Sequence, residues 1–316
     1  MDAASNNRYN RQNRVRRPSA TRPNYILMCI NVLPPSFPAT RKTKTTLMNA
    51  AKKRLVWLGH NAFLFEFNGA RFLVDPFLPS NLSPLKPEEI AADYVLVSHG
   101  HADHCADAAT VARKNDAPIV AVAEVADYFA EQKLRVEPTN VGGAIYVPIS
   151  SDANVPKAQI LTVAAPHSST CPNGAPGGTS LGFVLSFSQN GKPLDPNAVD
   201  TLKPLRETLA DADAFSIYFA CDAGYFGDMS WIGSLGIDVA VLPIGDRYTM
   251  GPAASLDAIR ALRPKFVVPS HYNTWPPLAQ NVERWSVAVV DWAAPAKPLV
   301  AKIGVPLEAD EKGAWR

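Results

Sequence analysis

Three imidazoles and one carboxylate fall within six residues of this chain, in the run Ser98-His99-Gly100-His101-Ala102-Asp103-His104. The run follows the apolar stretch Tyr94–Val97 and leads into an alanine-rich segment, so a buried strand delivers it and a helix receives it. Residues two apart in an extended segment face the same side, which lets His99 and His101 share one cation. Asp103 and His104 then turn onto the first helical residues and face a second. Imidazole and carboxylate are the usual ligands of zinc and neighbouring divalent metals. The competing reading is a solvated histidine-rich loop in which Asp103 is an ordinary helix N-cap. That reading leaves unexplained why three of the six histidines crowd into one run.

Three later residues repeat the same placement. The apolar segment Ile160–Pro166 ends at His167, Phe215–Cys221 ends at Asp222, and Phe266–Ser270 ends at His271. Each stands just beyond a candidate buried strand, where loops held by a rigid sheet carry function. Asp222 alone is weak, because Asp-Ala-Gly is also a turn signal; the ordered set of strand ends gives it weight.

The rest of the body reads as short apolar runs separated by Gly, Pro, Asn and Asp. Arg54–Leu58 and Ala62–Phe67 are expected as strands around the turn Gly59-His60-Asn61. Asn68-Gly69 is a hairpin signal, with Arg71–Val74 as the return strand. Further strands are expected at Tyr94–Ser98, Ile119–Val122, Ile145–Pro148, Gln159–Ala164, Gly182–Ser188, Phe215–Ala220, Val239–Pro243 and Phe266–Pro269. Helices are expected at Asp103–Asn115, Val125–Lys133, Leu202–Ala210 and Leu256–Leu262. Early hairpins followed by mixed strands and helices imply a layered α/β fold with helices outside sheets.

Charge is distributed unevenly. Residues 1–54 hold 12 of the 31 Lys and Arg but only one acid, Asp2, so residues 55–316 carry 19 basic and 28 acidic side chains, a net of −9. A body that acidic argues against a nucleic-acid partner, because phosphate binding needs a basic face. The four cysteines, Cys29, Cys105, Cys171 and Cys221, form no C-x-x-C pair, so neither a thiolate zinc ribbon nor a disulfide scaffold is indicated. The apolar stretch Tyr25–Leu33 is too short for a bilayer, which needs ~20 residues, and no transmembrane segment is expected. Residues 1–50 are read as a basic extension: an organelle transit peptide, a disordered tail, or sequence upstream of a start at Met48. The folded domain is expected over 51–316. Localisation is expected to be cytoplasmic, or organellar if the extension is a transit peptide.

The motifs together resemble the metallo-β-lactamase superfamily, whose signature H-x-H-x-D-H is followed by a distant His, Asp and His. They are Trp57-Leu58-Gly59-His60, Val74-Asp75-Pro76, the run at 99–104 and Pro166-His167-Ser168-Ser169. They continue with Asp222-Ala223-Gly224-Tyr225-Phe226-Gly227-Asp228-Met229, Leu242-Pro243-Ile244-Gly245-Asp246, Thr249-Met250-Gly251-Pro252 and Pro269-Ser270-His271-Tyr272-Asn273-Thr274. From about Lys53 to Pro277 the chain is similar to a branch of metal-dependent hydrolases related to ascorbate-phosphate lactonases. More remotely, it resembles phospholipases D acting on N-acyl phosphatidylethanolamines.

The resemblance implies a four-layer αβ/βα sandwich with two divalent metals at one edge, zinc first, with manganese or iron as alternatives. It implies that His99, His101 and His167 hold one metal and Asp103, His104 and His271 the other, with Asp222 bridging. A hydroxide between the metals would attack a lactone, ester or phosphodiester of a small-molecule substrate, with Asp103 or Asp222 holding it in line and accepting its proton. One departure is the setting of the bridging carboxylate, which is usually Gly-Asp-Thr and here is Cys221-Asp222-Ala223. A polar insertion also lengthens the segment before it. Asp75 resembles the carboxylate that steadies ligand histidines in this fold, with a plain turn as the alternative. His60 is expected either behind a ligand or in contact with substrate. Asp246, Asn273 and Tyr248 are candidate substrate contacts or turn residues. Cys105 and Cys221 adjoin ligands and are read as packing residues.

Two other functional classes occur on this fold. Di-iron reductases of this fold usually replace the second histidine of the run with Glu and carry a flavodoxin domain; here it is His101, and no such segment follows. Non-catalytic relatives typically lose ligands, whereas all seven are present.

Overall fold

The alternation in Ala62–Phe67 sets the plan of the fold. Phe63, Phe65 and Phe67 are buried while Leu64 and Glu66 are only partly so, and the period of two places all three rings on one face. That face meets an equivalent one from the second half of the chain. The Phe67 and Phe187 rings stack with centroids 4.3 Å apart, and Phe65 lies 5.9 Å from Phe215. Phe63 meets Phe219 at 6.1 Å. Each such ring contributes about 1.5–3 kcal/mol by leaving water, so this aromatic layer is the main cement between the sheets.

The computed structural model describes residues 52–79, 82–152, 155, 157–196, 202–310 and 313–316. All of them fall in one unit, Lys44–Arg316. The expectations for residues 1–50, for Met48 as a start and for Cys29 lie outside the described residues.

The first sheet contains β1 (Lys53–Gly59), β2 (Ala62–Phe67), β3 (Ala70–Val74), β4 (Tyr94–Leu96), β5 (Ile119–Val122) and β6 (Val136–Thr139) in sequential order. β1 to β3 form an antiparallel meander, and β3 to β6 are parallel. Between the parallel strands run α1 (Ala102–Cys105), α2 (Ala108–Asn115) and α3 (Ala123–Ala130). The second sheet repeats the scheme with β7 (Ala144–Val147), β8 (Ala158–Ala164), β9 (Leu181–Phe187), β10 (Phe215–Phe219), β11 (Val239–Pro243), β12 (Phe266–Ser270) and β13 (Lys297–Pro298). β7 to β10 are antiparallel and β10 to β13 parallel. Its helices are α4 (Leu205–Asp211), α5 (Met229–Ser234), α6 (Pro252–Leu262) and α7 (Val282–Trp292), and β14 (Pro306–Ala309) returns to pair with β1. α2 and α3 pack on the first sheet, and α6 and α7 on the second. The arrangement is the expected αβ/βα sandwich.

Several boundaries differ from the sequence expectation, for identifiable reasons. The helix expected over Asp103–Asn115 is broken into α1 and α2. Asp107 leaves the helix, accepts the Leu78 amide at 2.7 Å and donates its own amide to Pro76. α6 starts at Pro252, whose fixed φ suits a first helical position. α7 contains Ser286-Val287-Ala288-Val289-Val290, a β-branched pattern that reads locally as strand. β6 and β14 contain Pro138 and Pro306 and lie at sheet edges, where proline is tolerated. α5 and the two-residue β13 are too short to show a period.

Strand direction locates the site. β1, β3 and β4 run in one sense in the first sheet, as do β8, β10 and β12 in the second. His60 and Asp75 directly follow β1 and β3, and His271 directly follows β12. His99, His167 and Asp222 each stand three residues beyond β4, β8 and β10. All six are therefore delivered at C-terminal strand ends.

Candidate metal centre

The turn at each strand end is sharp. His60, Asp75 and His271 have φ of 50°, 44° and 57°, and Cys221, beside Asp222, has 54°. A left-handed backbone costs a non-glycine residue about 1–2 kcal/mol, and such strain gathers where a structure over-determines it for function. It is held here by hydrogen bonds, one local and one between the two halves. The His60 carbonyl accepts from the Trp57 indole at 3.0 Å and from the His271 amide at 3.0 Å.

Glycine makes two close approaches possible. A Cβ on Gly100 would sit 2.9 Å from the backbone of Thr170 and Cys171. This lets the run at 99–104 lie against the loop carrying His167, tied by the Gly100 amide donating to Ser169 Oγ at 3.1 Å. A Cβ on Gly245 would fall 2.1 Å from the His271 carbonyl oxygen.

The seven expected ligands are brought together. The ligand atoms of His99, His101 and His167 lie within 4.8 Å of one another, and so do those of Asp103, His104 and His271, joined by His60. Asp222 sits between the groups. Its Oδ2 is 3.2 Å from Nε2 of His104, 3.2 Å from Nε2 of His271 and 3.5 Å from Nε2 of His167. Its Oδ1 is buried with no hydrogen-bond partner, as is Nε2 of His104. Orphaned buried polar atoms are costly, and converging imidazoles and carboxylates with unpartnered lone pairs are the donor set a divalent cation satisfies.

Hydrogen bonds behind the candidate ligands orient them. Asp75, fully buried, accepts from the Ser98 amide at 2.8 Å, Ser98 Oγ at 2.7 Å, Asn61 Nδ2 at 3.0 Å and Nδ1 of His104 at 2.9 Å. With its Nδ1 proton held there, His104 directs Nε2 at the centre. Ser98 Oγ also lies 2.9 Å from Nδ1 of His99. Ser98, Asn61 and Ser169 fall within the quoted motifs, but sequence pattern gives them no role of their own. His60 is 1% exposed, with Nδ1 2.8 Å from Thr274 Oγ1 and Nε2 3.4 Å from Asp103 Oδ2. Asp246 and Asn273 are exposed turn residues: Asp246 Oδ1 accepts the Arg247 amide at 2.8 Å, and Asn273 Oδ1 the Gln280 amide at 2.8 Å. Tyr248 is likewise exposed, with Arg247 over its ring.

The electrostatics are those of a cation site. Burial disfavours charge on Asp222, but the His104 and His271 imidazoles hold its carboxyl well below the usual range. Burial likewise opposes charge on His104, and the Asp222 and Asp75 carboxylates override it, raising its pKa well above the ordinary value. A cation held by these residues would compete with a proton for His104. Burial pushes His99 well below the ordinary imidazole value and His60 down to about 4, with Asp103 pulling His60 back. Burial opposes charge on Asp103 too, yet the neighbouring His60 and His104 rings hold it low. Burial raises the Cys105 thiol to about 12 and pushes the Cys221 thiol well above its ordinary value, as for packing residues.

A model of the beta-lactamase superfamily domain matches residues 54–191 and 209–271. The chain belongs to the metallo-β-lactamase superfamily of metal-dependent hydrolases. Within that superfamily it is 38% identical to a UPF0173 metal-dependent hydrolase of Desulforamulus reducens over 242 residues, 75% of this chain and 91% of that protein. A UPF0173 metal-dependent hydrolase of Thermococcus kodakarensis is 37% identical over 76% of this chain and 93% of its own length. Among solved superfamily structures, a metallo hydrolase from the archaeon Ignicoccus hospitalis superposes with a TM-score of 0.66 at 29% identity, covering 82% of this chain and 99% of the other. Among the described residues, no helix is long and apolar enough to cross a membrane.

Proposed function

We propose that the chain hydrolyses a small-molecule lactone, ester or phosphodiester with two divalent cations, zinc first and manganese or iron as alternatives. His99, His101 and His167 would hold one cation, Asp103, His104 and His271 the other, and Asp222 both. The observation that carries this reading is Asp222, whose Oδ2 stands within 3.5 Å of histidines from both groups while its Oδ1 has no partner. When bound, such a pair lowers the pKa of water from 15.7 toward about 7 and polarises the substrate oxygen.

The chain's own groups do the rest. Asp75 and Ser98 fix the tautomers of His104 and His99, so that lone pairs rather than N–H groups face inward. The Asp103 side chain is 32% exposed and is the carboxylate that meets incoming water, whereas Asp222 is buried. Asp103 accepts the proton released as water attacks, and Asp222 holds the nucleophile in line. Phe77 and Trp275 form an apolar wall beside His60, with ring centroids 6.2 Å apart, and Trp275 is 41% exposed. The wall restricts water on that side and offers a face to an apolar part of the substrate.

The test is a panel of lactones, esters and phosphodiesters, assayed with protein reconstituted separately in zinc, manganese and iron. Turnover of one substrate class, dependent on the added metal, is expected. Absence of metal-dependent turnover across the panel, in protein that binds two equivalents of metal, contradicts the catalytic reading.

A further inference from the structure

His60 is the one histidine outside the seven-ligand set. Its imidazole is 1% exposed, and Nδ1 is engaged by Thr274 Oγ1 at 2.8 Å. That leaves Nε2, which is buried, has no hydrogen-bond partner and points into the group formed by Asp103, His104 and His271. The nearest carboxylate oxygen, Asp103 Oδ2, is 3.4 Å away. A charge-assisted imidazole–carboxylate hydrogen bond closes to about 2.7–2.9 Å. Two adjacent ligands sharing a four- or five-coordinate cation, each about 2.1 Å from it, stand roughly 3.0–3.4 Å apart. The neighbouring pairs have the same span: 3.2 Å from Asp222 to His104 and to His271, and 3.5 Å to His167.

The backbone fixes this aim. His60 has a left-handed φ of 50°, its carbonyl is clamped by Trp57 and by the His271 amide, and its ring lies 4.0 Å from that of His271. A strained backbone carrying a buried, unpartnered nitrogen is an unfavourable way to fill space. It is a suitable way to present a lone pair.

We propose that His60 is a direct ligand of the second cation, with Thr274 accepting its Nδ1 proton and so fixing the tautomer. The inference rests on the metal-centre reading above and extends it. The second cation is then gripped by His60, Asp103, His104 and His271, while the first has His99, His101 and His167. Both share Asp222. The first cation thus keeps the more open coordination, where water and substrate have room.

The test uses the full chain loaded with cobalt(II), comparing His60→Ala and Thr274→Val with the unaltered protein. His60→Ala is expected to weaken the second site more than about 100-fold, beyond the 10–100-fold loss typical of a residue that only orients a ligand. It should also change the visible cobalt band of that site and spare the first. Thr274→Val should fall within the 10–100-fold range with the band unchanged. A His60→Ala protein with an unchanged band, or a loss of about 100-fold or less, makes His60 a positioning residue and overturns the proposal. Should His60→Ala not fold, a crystal structure of the zinc-loaded unaltered chain decides. Nε2 about 2.1 Å from the second ion supports the proposal. Two bound ions with Nε2 bonded to neither overturn it and leave the metal centre standing, whereas no bound ion overturns both.

Discussion

The Asp75 carboxylate lies 2.9 Å from Nδ1 of His104, and both side chains are fully buried. Asp75 also anchors Ser98 and Asn61, so one carboxylate ties the ends of β1, β3 and β4 together. Replacing Asp75 by Ala strands these donors, and His104 loses the partner that sets its tautomer. The expected result is a 10–100-fold loss of metal affinity and about 3–5 kcal/mol of stability. Chelator competition and denaturant unfolding measure the two effects. Unchanged affinity would mean that the hydrogen bond does not orient His104.

His101 is half-buried, and its ring meets other histidines: His99 Nε2 lies 3.0 Å from its Nδ1, and the His167 ring 5.2 Å away. His101→Ala should therefore abolish metal-dependent hydrolysis while moving the stability of the metal-free chain by no more than about 0.5 kcal/mol. Activity assays beside thermal melts in chelator check it; a metal-free variant that unfolds would show a structural role instead.

Gly245 packs where a Cβ would lie 2.1 Å from the His271 carbonyl oxygen and 2.9 Å from His271 Nδ1. Gly245→Ala must displace His271 from the end of β12. A stability loss of about 1–3 kcal/mol is expected, together with weaker binding of the second equivalent of metal. A variant that retains two equivalents at full affinity would show that the strand end can yield without moving its ligand.

Added metal should stabilise the chain by mass action. At a free concentration 100 times Kd each site contributes about 2.7 kcal/mol, which for a domain of this size raises Tm by roughly 5–10 °C. Scanning calorimetry across a zinc or manganese titration reads this directly, and no shift at saturation would mean that the native state does not bind the metal.

The layered α/β plan and the strand ends could be read from sequence because both are local signals, while the αβ/βα sandwich followed from the family resemblance. Each of β4, β8, β10 and β12 is a short apolar run, and His99, His167, Asp222 and His271 stand one to three residues past it. What was not legible depends on tertiary contacts. The break at Asp107 is caused by the Leu78 amide, 29 residues away in sequence. The resemblance offered Asp75 as a carboxylate that steadies ligand histidines, but its particular partners Asn61, Ser98 and His104 come together only when β1, β3 and β4 align. α7 was hidden because Val287, Val289 and Val290 favour strands locally, and burial of Trp285 and Val289 overrides that preference. For His60, sequence alone left two roles open, and only the folded chain shows its Nε2 among Asp103, His104 and His271.

The most direct measurement follows hydrolysis by the full chain as metal is stripped with chelator and then restored. Activity should fall to zero with the last metal removed and return as two equivalents of zinc or manganese are added back. Turnover that persists in fully metal-free protein would contradict the two-cation centre as the source of catalysis.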